Sequence, residues 1–443
     1  DALARNSMQY DTFREIQAAF GEQGLRSVAQ LSEGSIEHFG TAKKILYSGN
    51  TVQSLSAAHT LADARRTSLE KELVADAQAK RLMKLFDDEG SFLDPHFNQR
   101  YYSTTLASKI DALVDRSAHR VGKSWWVNNA ANQKDESDAT ALVRVWPVGL
   151  VFGDSPATAK YLADYLSTIT HRHPKARTSA AAMAVGISSA LEGFSVDEIV
   201  KKMIATAQTY ETAERYALAN AKKPKFELEV PREVKLTSEL IRNAAKAARN
   251  DTPIEEVLGT NNKRDDDDNR SFRGYLLGYE ADEAVAAAVY LLVKNPHDFK
   301  GLLGDGSLAV GNTALITSLA AALYGACNGY DKLIAEGFQE DFSLLEGKDQ
   351  LITAASEIYR SLSYQAVTYD QTAELVQQRK QTVTQAHPQQ RELMTSRVKL
   401  ASGIDKVQEE LEEPQSVLTI RNAAIVGGLI LAGYLIKEYV VPY

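Results

Sequence analysis

Two short polar turns carry the side chains best suited to chemistry in this sequence. Each lies where a helix-like run begins, at the end of a helix where metal ions or phosphates are often bound. Asn50 or Thr51 suits the N-cap of the first helix, and Asn312 or Thr313 suits that of the second. The two turns consist of Ser48, Gly49, Asn50, Thr51, Gly311, Asn312, Thr313 and Ala314.

The polar atoms of these turns are neutral. A hard cation such as Mg²⁺ needs several oxygen ligands, and most of them are carboxylates in proteins. Asn50 and Asn312 can offer amide oxygens, whereas Gly49 and Ala314 offer no side-chain ligand. The residue types therefore argue against a magnesium site at these turns.

Alanine-rich segments, which we expect to be helical, would hold the two turns in place. Residues 313–326 form a very apolar run in which Gly325 and several alanines let neighbouring helices come close. Similar alanine-rich runs occur at residues 180–191 and 278–290. We therefore expect an all-α core built from closely packed helices.

Composition excludes several classes of function. The chain has 443 residues, of which 24% are charged and 44% apolar, which is typical of a folded body with a sizeable core. Its net charge of −8 argues against a general nucleic-acid binder. Cys327 is the one cysteine, so zinc spacings and intrachain disulfides are excluded, and a reducing or mitochondrial compartment is favoured. The first residue is Asp1, so either processing has removed a preceding segment, for which a targeting peptide is one candidate, or the sequence omits that segment.

The two turns, with the alanine-rich helix after the second, resemble those of the ADP-ribosylglycohydrolase (DraG-like) family. That family carries Thr-Asp-Asp-Thr at the first turn and Gly-Asp-Thr-Asp-Thr-Ile-Gly at the second. Residues 137–150 resemble its Gly-Asn-Gly-Ala-Ala-Met-Arg-x-x-Pro-Leu-Gly-Leu segment, and Arg144, Pro147 and Gly149 match. The resemblance covers about residues 1–330. It implies an all-α, orthogonal multi-helix bundle in which the two turns face each other across one pocket.

The departures from the family pattern concern its metal ligands. Family members use four aspartates to hold two magnesium ions, which position the ribose of ADP-ribose and the attacking water. In this chain those positions are Gly49, Asn50, Asn312 and Ala314. The resemblance therefore implies a degenerate member without catalytic residues, metal or other cofactor. Its degenerate pocket would contain Asn50, Thr51, Arg144, Asn312 and Thr313.

His171 is a second candidate for chemistry. It lies in Ile169-Thr170-His171-Arg172-His173-Pro174, which is similar to the Thr-His-x-x-Pro turn of the same family. No carboxylate or cysteine partner can be identified for it in the sequence. We therefore expect a hydrogen bond that fixes the turn at a helix end rather than catalysis.

The sequence predicts three parts: a family-like helical domain at 1–344, a polar helical extension with an acidic linker at 345–415, and a C-terminal membrane anchor at 416–443. Residues 423–435 are uncharged and would span roughly 20 Å as a helix. Counting 417–441 gives a length that can cross a bilayer. A buried or interfacial helix is the alternative.

The predicted anchor has a face of small residues. Ala424, Gly428 and Ala432 recur every four residues, which suits close packing on another membrane helix. The expected partners are therefore the lipid bilayer and other subunits of a membrane complex, with no nucleic acid.

The sequence thus favours a structural or accessory subunit of a membrane complex. We expect the mitochondrial inner membrane, with a respiratory complex or ATP synthase as host. One alternative is a membrane-tethered hydrolase that removes ADP-ribose from modified proteins by a metal-free mechanism. Another is a nucleotide-binding module without turnover.

Overall fold

The computed structural model describes residues 2, 13–31, 37–39, 42–67, 69–84, 106–107, 109–110, 113, 137–211, 235–258, 278–309 and 311–362. Helices dominate these residues, which confirms the predicted all-α class. The exception is an antiparallel pair of three-residue strands, β1 (Glu37–Phe39) and β2 (Ala42–Lys44). Short 3-10 helices lie at Val28–Gln30 and Ala139–Arg144.

The helices follow one another in chain order. They are α1 (Phe13–Phe20), α2 (Gly49–Thr67), α3 (Lys71–Lys84), α4 (Trp146–Val151), α5 (Pro156–Ser167), α6 (Pro174–Leu191), α7 (Val196–Tyr210), α8 (Thr237–Arg249), α9 (Ile254–Leu258), α10 (Ala281–Lys294), α11 (Phe299–Leu308), α12 (Thr313–Ala335), α13 (Gln339–Ser343) and α14 (Lys348–Ser361).

Helix α6 lies at the centre of the described core. Every residue from Thr178 to Leu191 is buried, and the helix packs against α4, α5, α7, α10 and α12. Such enclosure requires small residues where the helices touch. A Cβ added at Gly149 of α4 would lie 2.6 Å from the Ala184 carbonyl oxygen. Because residues 178–191 are apolar or small on all sides, this part of α6 has no solvent face. The alanine-rich run predicted at 180–191 is the interior of this helix.

Helices α10 and α12 supply the other predicted alanine-rich segments. Helix α12 begins after the second turn, and Gly325 is buried within it. The helical dihedral angles are interrupted at Gly329, where φ is 75°, a value that glycine tolerates without steric cost. Together α6, α10 and α12 form the packed layer against which the candidate site is built.

The start of the predicted extension packs on the body. Helix α14 contacts α2 and α4, and residue Leu345 pairs with Ile45 in an isolated parallel bridge. The boundaries at 344 and 415 stay predictions.

Within the described ranges, no helix combines the length and the apolar character needed to span a bilayer. The predicted anchor at 417–441, with Ala424, Gly428 and Ala432, lies outside those ranges.

Candidate functional site

The first turn is capped by Ser48, two residues before Asn50, the earlier of the two predicted caps. Ser48 Oγ accepts the backbone N–H of Asn50 at 3.1 Å, and the Ser48 carbonyl accepts that of Thr51 at 3.1 Å. Helix α2 therefore begins at Gly49, and the predicted caps Asn50 and Thr51 occupy its first turn. The expectation that either caps the helix was wrong, because Ser48 is an equally good cap and lies before a glycine that can join the helix.

The second turn has Asn312 at the N-cap position of α12, as expected. Its side chain makes no cap hydrogen bond, and its amide instead donates to the Gly278 carbonyl at 3.4 Å. Thr313 is buried and donates to the Ala309 carbonyl at 2.8 Å. Ala314 has no exposed surface. The polar atoms of this turn thus bind the surrounding backbone.

Arg144 is buried between three polar partners. Its guanidinium donates to Gln53 Oε1 at 3.1 Å, to the Thr140 carbonyl at 3.5 Å and to Thr170 Oγ1. Burial lowers the pKa of Arg144 to about 10, although the charge of Asp138 opposes the shift. The side chain remains charged at neutral pH, and its hydrogen bonds keep it in place.

Two further contacts hold α2 against the segment that contains Arg144. Gln53 donates to the Gly49 carbonyl at 3.2 Å, so the acceptor of Arg144 is itself fixed to the first turn. Ser54 Oγ donates to the Val143 carbonyl at 2.6 Å and accepts the indole N–H of Trp146 at 2.9 Å. The first turn is therefore joined directly to residues 143–146.

The second turn is connected to residues 137–146 through the backbone of residues 278–280. Asp138 and Glu280 form an antiparallel bridge, in which Ala139 N–H donates to the Tyr279 carbonyl at 2.8 Å. Asn312 binds the neighbouring Gly278. Asn50, Thr51, Arg144, Asn312 and Thr313 thus belong to elements that all attach to residues 137–146. That the two turns face one shared pocket stays a prediction.

A buried charge cluster lies at the start of this segment. His171 Nε2 is 3.0 Å from Asp138 Oδ2 and 2.8 Å from Lys109 Nζ. Lys109 Nζ is 3.2 Å from the same carboxylate, and Thr140 Oγ1 also contacts it. On its other side, His171 Nδ1 lies 2.8 Å from Thr170 Oγ1. His171 is completely buried, whereas the side chain of Asp138 is 27% exposed.

The electrostatics fix the charge states of this cluster. Burial lowers the pKa of His171 to about 4, against the attraction of Asp138, and the charges of Lys109 and Arg144 lower it further. Burial alone would raise the pKa of Asp138. At the low pH where His171 is protonated, its charge and hydrogen bond, together with the charge of Lys109 and the Thr140 hydroxyl, outweigh that effect and hold the pKa of Asp138 well below its ordinary value. At neutral pH the cluster is a neutral imidazole beside a lysine–aspartate ion pair.

This cluster corrects the inference from the sequence that His171 has no identifiable carboxylate partner. A carboxylate partner for His171 does exist, but only the fold brings Asp138, 33 positions earlier, against the ring. The expected role in fixing the turn fits the contacts with Thr170 and Thr140. A carboxylate with a lowered pKa is a weak base, and an enclosed imidazole has no route to solvent.

A second cluster lies across the Asp138–Glu280 bridge. Lys175 Nζ is 3.1 Å from Asp282 and 3.8 Å from Glu280, and Ser137 donates to Glu280. Burial raises the pKa of Asp282 despite the charge of Lys175. The ammonium group of Lys175 supplies the cation for these carboxylates.

The donor set does not fit a divalent metal ion. Among the residues with described placement, no group of three or more His, Cys, Asp or Glu side chains could hold a metal ion. The two turns offer amides, hydroxyls and backbone, and the buried, positively charged Arg144 contacts α2 through Gln53.

Comparison with known proteins identifies the family. The ADP-ribosylglycohydrolase family profile matches residues 1–412. The chain belongs to this family. The match runs beyond the 330 residues over which the motifs were recognised and includes α14. No curated protein matches significantly. One similar solved structure is described as "ADP-ribosylglycohydrolase-related protein complex": it is 12% identical, with a TM-score of 0.42, over 81% of this chain and 99% of that one.

Proposed function

We propose that this member of the ADP-ribosylglycohydrolase family is catalytically inactive and serves as a structural or accessory subunit of a membrane complex. The observation that carries the proposal is that polar side chains at the two turns form hydrogen bonds within the protein. At these turns the side chains of Ser48, Asn312 and Thr313 bind the protein's own backbone. None of the positions that correspond to the metal ligands offers a carboxylate.

Charge supports the same conclusion. Two divalent cations need several carboxylates to balance them. In this chain Lys109 already balances Asp138, and Arg144 adds a buried positive charge that touches α2 through Gln53. A magnesium ion placed at the first turn would meet repulsion without compensating ligands.

The membrane part of the proposal rests on the sequence. The uncharged stretch 423–435 lies between Arg421 and Lys437, and an acidic linker precedes it. The host we propose is a complex of the mitochondrial inner membrane, such as a respiratory complex or ATP synthase, consistent with the single cysteine. Contact with lipid would be made through 417–441.

Purified full-length protein incubated with a mono-ADP-ribosylated substrate and Mg²⁺ tests the inactive state. We expect no release of ADP-ribose above background and no magnesium binding by calorimetry. The matched variant Asn50→Asp/Asn312→Asp restores two carboxylates without a change in size, at two half-buried positions. It should bind Mg²⁺ more tightly than the wild type. Release by the wild type that a chelator abolishes would contradict the proposal.

The subunit role has its own test. The protein extracted in mild detergent should co-purify with a defined set of partners, and deletion of 417–443 should release it from membranes. A full-length protein that washes off in carbonate would remove the anchor from the proposal.

A metal-free hydrolase is the second candidate, because Asp138 lies against His171. If the wild type releases ADP-ribose in the presence of a chelator, His171→Gln and Asp138→Asn should each abolish that release. Binding of ADP-ribose without release would instead favour a nucleotide-binding module.

A further inference from the structure

The chain segment just before the first turn is bonded to a distant part of the sequence. Ile45 N–H donates to the Leu344 carbonyl at 2.8 Å, and Glu346 N–H donates to the Ile45 carbonyl at 3.0 Å. The Lys44 ammonium donates to the Ser343 carbonyl at 3.0 Å. These bonds fix the backbone that leads into the first turn, so its position depends on residues about 300 positions later.

Close packing reinforces this attachment. Gly347 has a φ of 60°, and a Cβ added there would lie 2.8 Å from the Tyr47 hydroxyl. Tyr47 directly precedes the capping residue Ser48 and is 3% exposed. Glycine adopts this left-handed conformation without steric cost and leaves room for the Tyr47 ring where the chain enters α14 at Lys348. We call residues 343–361 the strap.

Beyond the turn, the strap covers the outer side of α2. Leu351 and Ile358 of α14 are buried, at 3% and 0% exposure, and α14 packs along α2. Near its far end, Glu357 Oε2 lies 2.5 Å from His59 Nδ1. Arg66 also donates to the Glu357 carbonyl at 3.0 Å. The strap therefore contacts α2 from the residues before its cap to its last turn.

We propose that the strap is a conformational latch that holds the first turn of the family site in place. When the strap separates from α2, the segment before Ser48 loses its backbone partners and α2 loses its outer cover. The change reaches Arg144 because Gln53, in the second turn of α2, is its hydrogen-bond partner. Since the strap begins the predicted extension, a partner bound to that extension can act on the site. This coupling goes beyond the proposed accessory role and holds whether or not the site is active.

Hydrogen–deuterium exchange on the full chain tests the latch with two matched variants. Ile358→Ala removes a buried side chain of the strap, and Ile199→Ala removes an equally buried isoleucine from α7, which packs on α6, α8 and α10. Such truncations weaken local packing by a few kcal/mol. We expect Ile358→Ala to speed exchange in residues 49–60 at least about tenfold. Ile199→Ala should speed exchange in residues 196–210 and leave 49–60 near wild type.

A milder variant keeps the test decisive if Ile358→Ala unfolds the whole chain. Glu357→Gln removes the negative charge from the partly exposed contact with His59 and should speed exchange in 49–60 about twofold to fivefold, with no change in 313–328. Unchanged exchange in 49–60 in both strap variants would overturn the proposal. Equal loss of protection in 49–60 from the strap variants and from Ile199→Ala would overturn it as well.

Discussion

The Asp138 and Asp282 carboxylates each lie against a lysine, and their pKa values shift in opposite directions. Asp138 is 27% exposed and has Lys109, His171 and the Thr140 hydroxyl around it. Asp282 is 1% exposed, with Lys175 as its cation and other carboxylates nearby. The difference follows from the number of favourable partners and from access to water, since the same pairing of residue types occurs in both clusters.

The Asp282 and Asp138 clusters have different roles in the protein. The Asp282 cluster fastens α6 to α10, and removal of its cation would leave an enclosed negative charge with no counter-charge. The Asp138 cluster lies on the segment that joins the family's two turns, and its carboxylate keeps contact with solvent. Changes in the Asp138 cluster should therefore cost less stability and alter titration more. The following variants test this difference, from the largest expected effect to the smallest.

Lys175→Met should be the most damaging change. Burial alone would lower the pKa of Lys175, but the charges of Asp282 and Glu280 outweigh it and raise the pKa. Loss of this ammonium should lower the free energy of unfolding by about 3–5 kcal/mol at pH 7, measured with chemical denaturant. The exposed Lys201→Met serves as a control and should stay within about 0.5 kcal/mol of the wild type. Equal effects of the two variants would show that Asp282 needs no cation.

His171→Gln should flatten the acid side of the stability profile. The folded protein keeps His171 neutral down to its pKa of about 4, whereas the unfolded chain protonates it below 6.5. The wild type should therefore lose about 3 kcal/mol from this residue as pH falls from 6.5 to 4, and the contribution is fully present above 6.5. Subtraction of the variant's profile isolates the effect. Parallel profiles across that window would contradict a buried neutral imidazole.

Lys109→Met should have the smallest effect and lower the free energy of unfolding by about 1–2 kcal/mol. Asp138 would still contact solvent, His171 and Thr140. Titration should respond more clearly. The charge of Lys109 lowers the pKa of His171, so the variant should raise that pKa above about 4, as followed by the histidine NMR signals. A loss as large as that of Lys175→Met would erase the distinction between the two clusters.

The sequence by itself determined the class of the fold and the identity of the family. Alanine-rich runs at 180–191, 278–290 and 313–326 indicated helices that pack closely on all sides, because small side chains limit the distance between helix axes. The structure places α6, α10 and α12 there. The absence of aspartate at Gly49, Asn50, Asn312 and Ala314 was likewise visible in the sequence alone.

Only the tertiary structure decided which residues meet. Asp138 approaches His171, and the strap binds Ile45, although no local pattern marks these contacts. The physical reason is that helix formation follows local periodicity, whereas a buried charge or a backbone hydrogen bond depends on the partner that packing brings near. The charge states and hydrogen bonds of the candidate site depend on such partners, which come from segments 29 to about 300 residues apart.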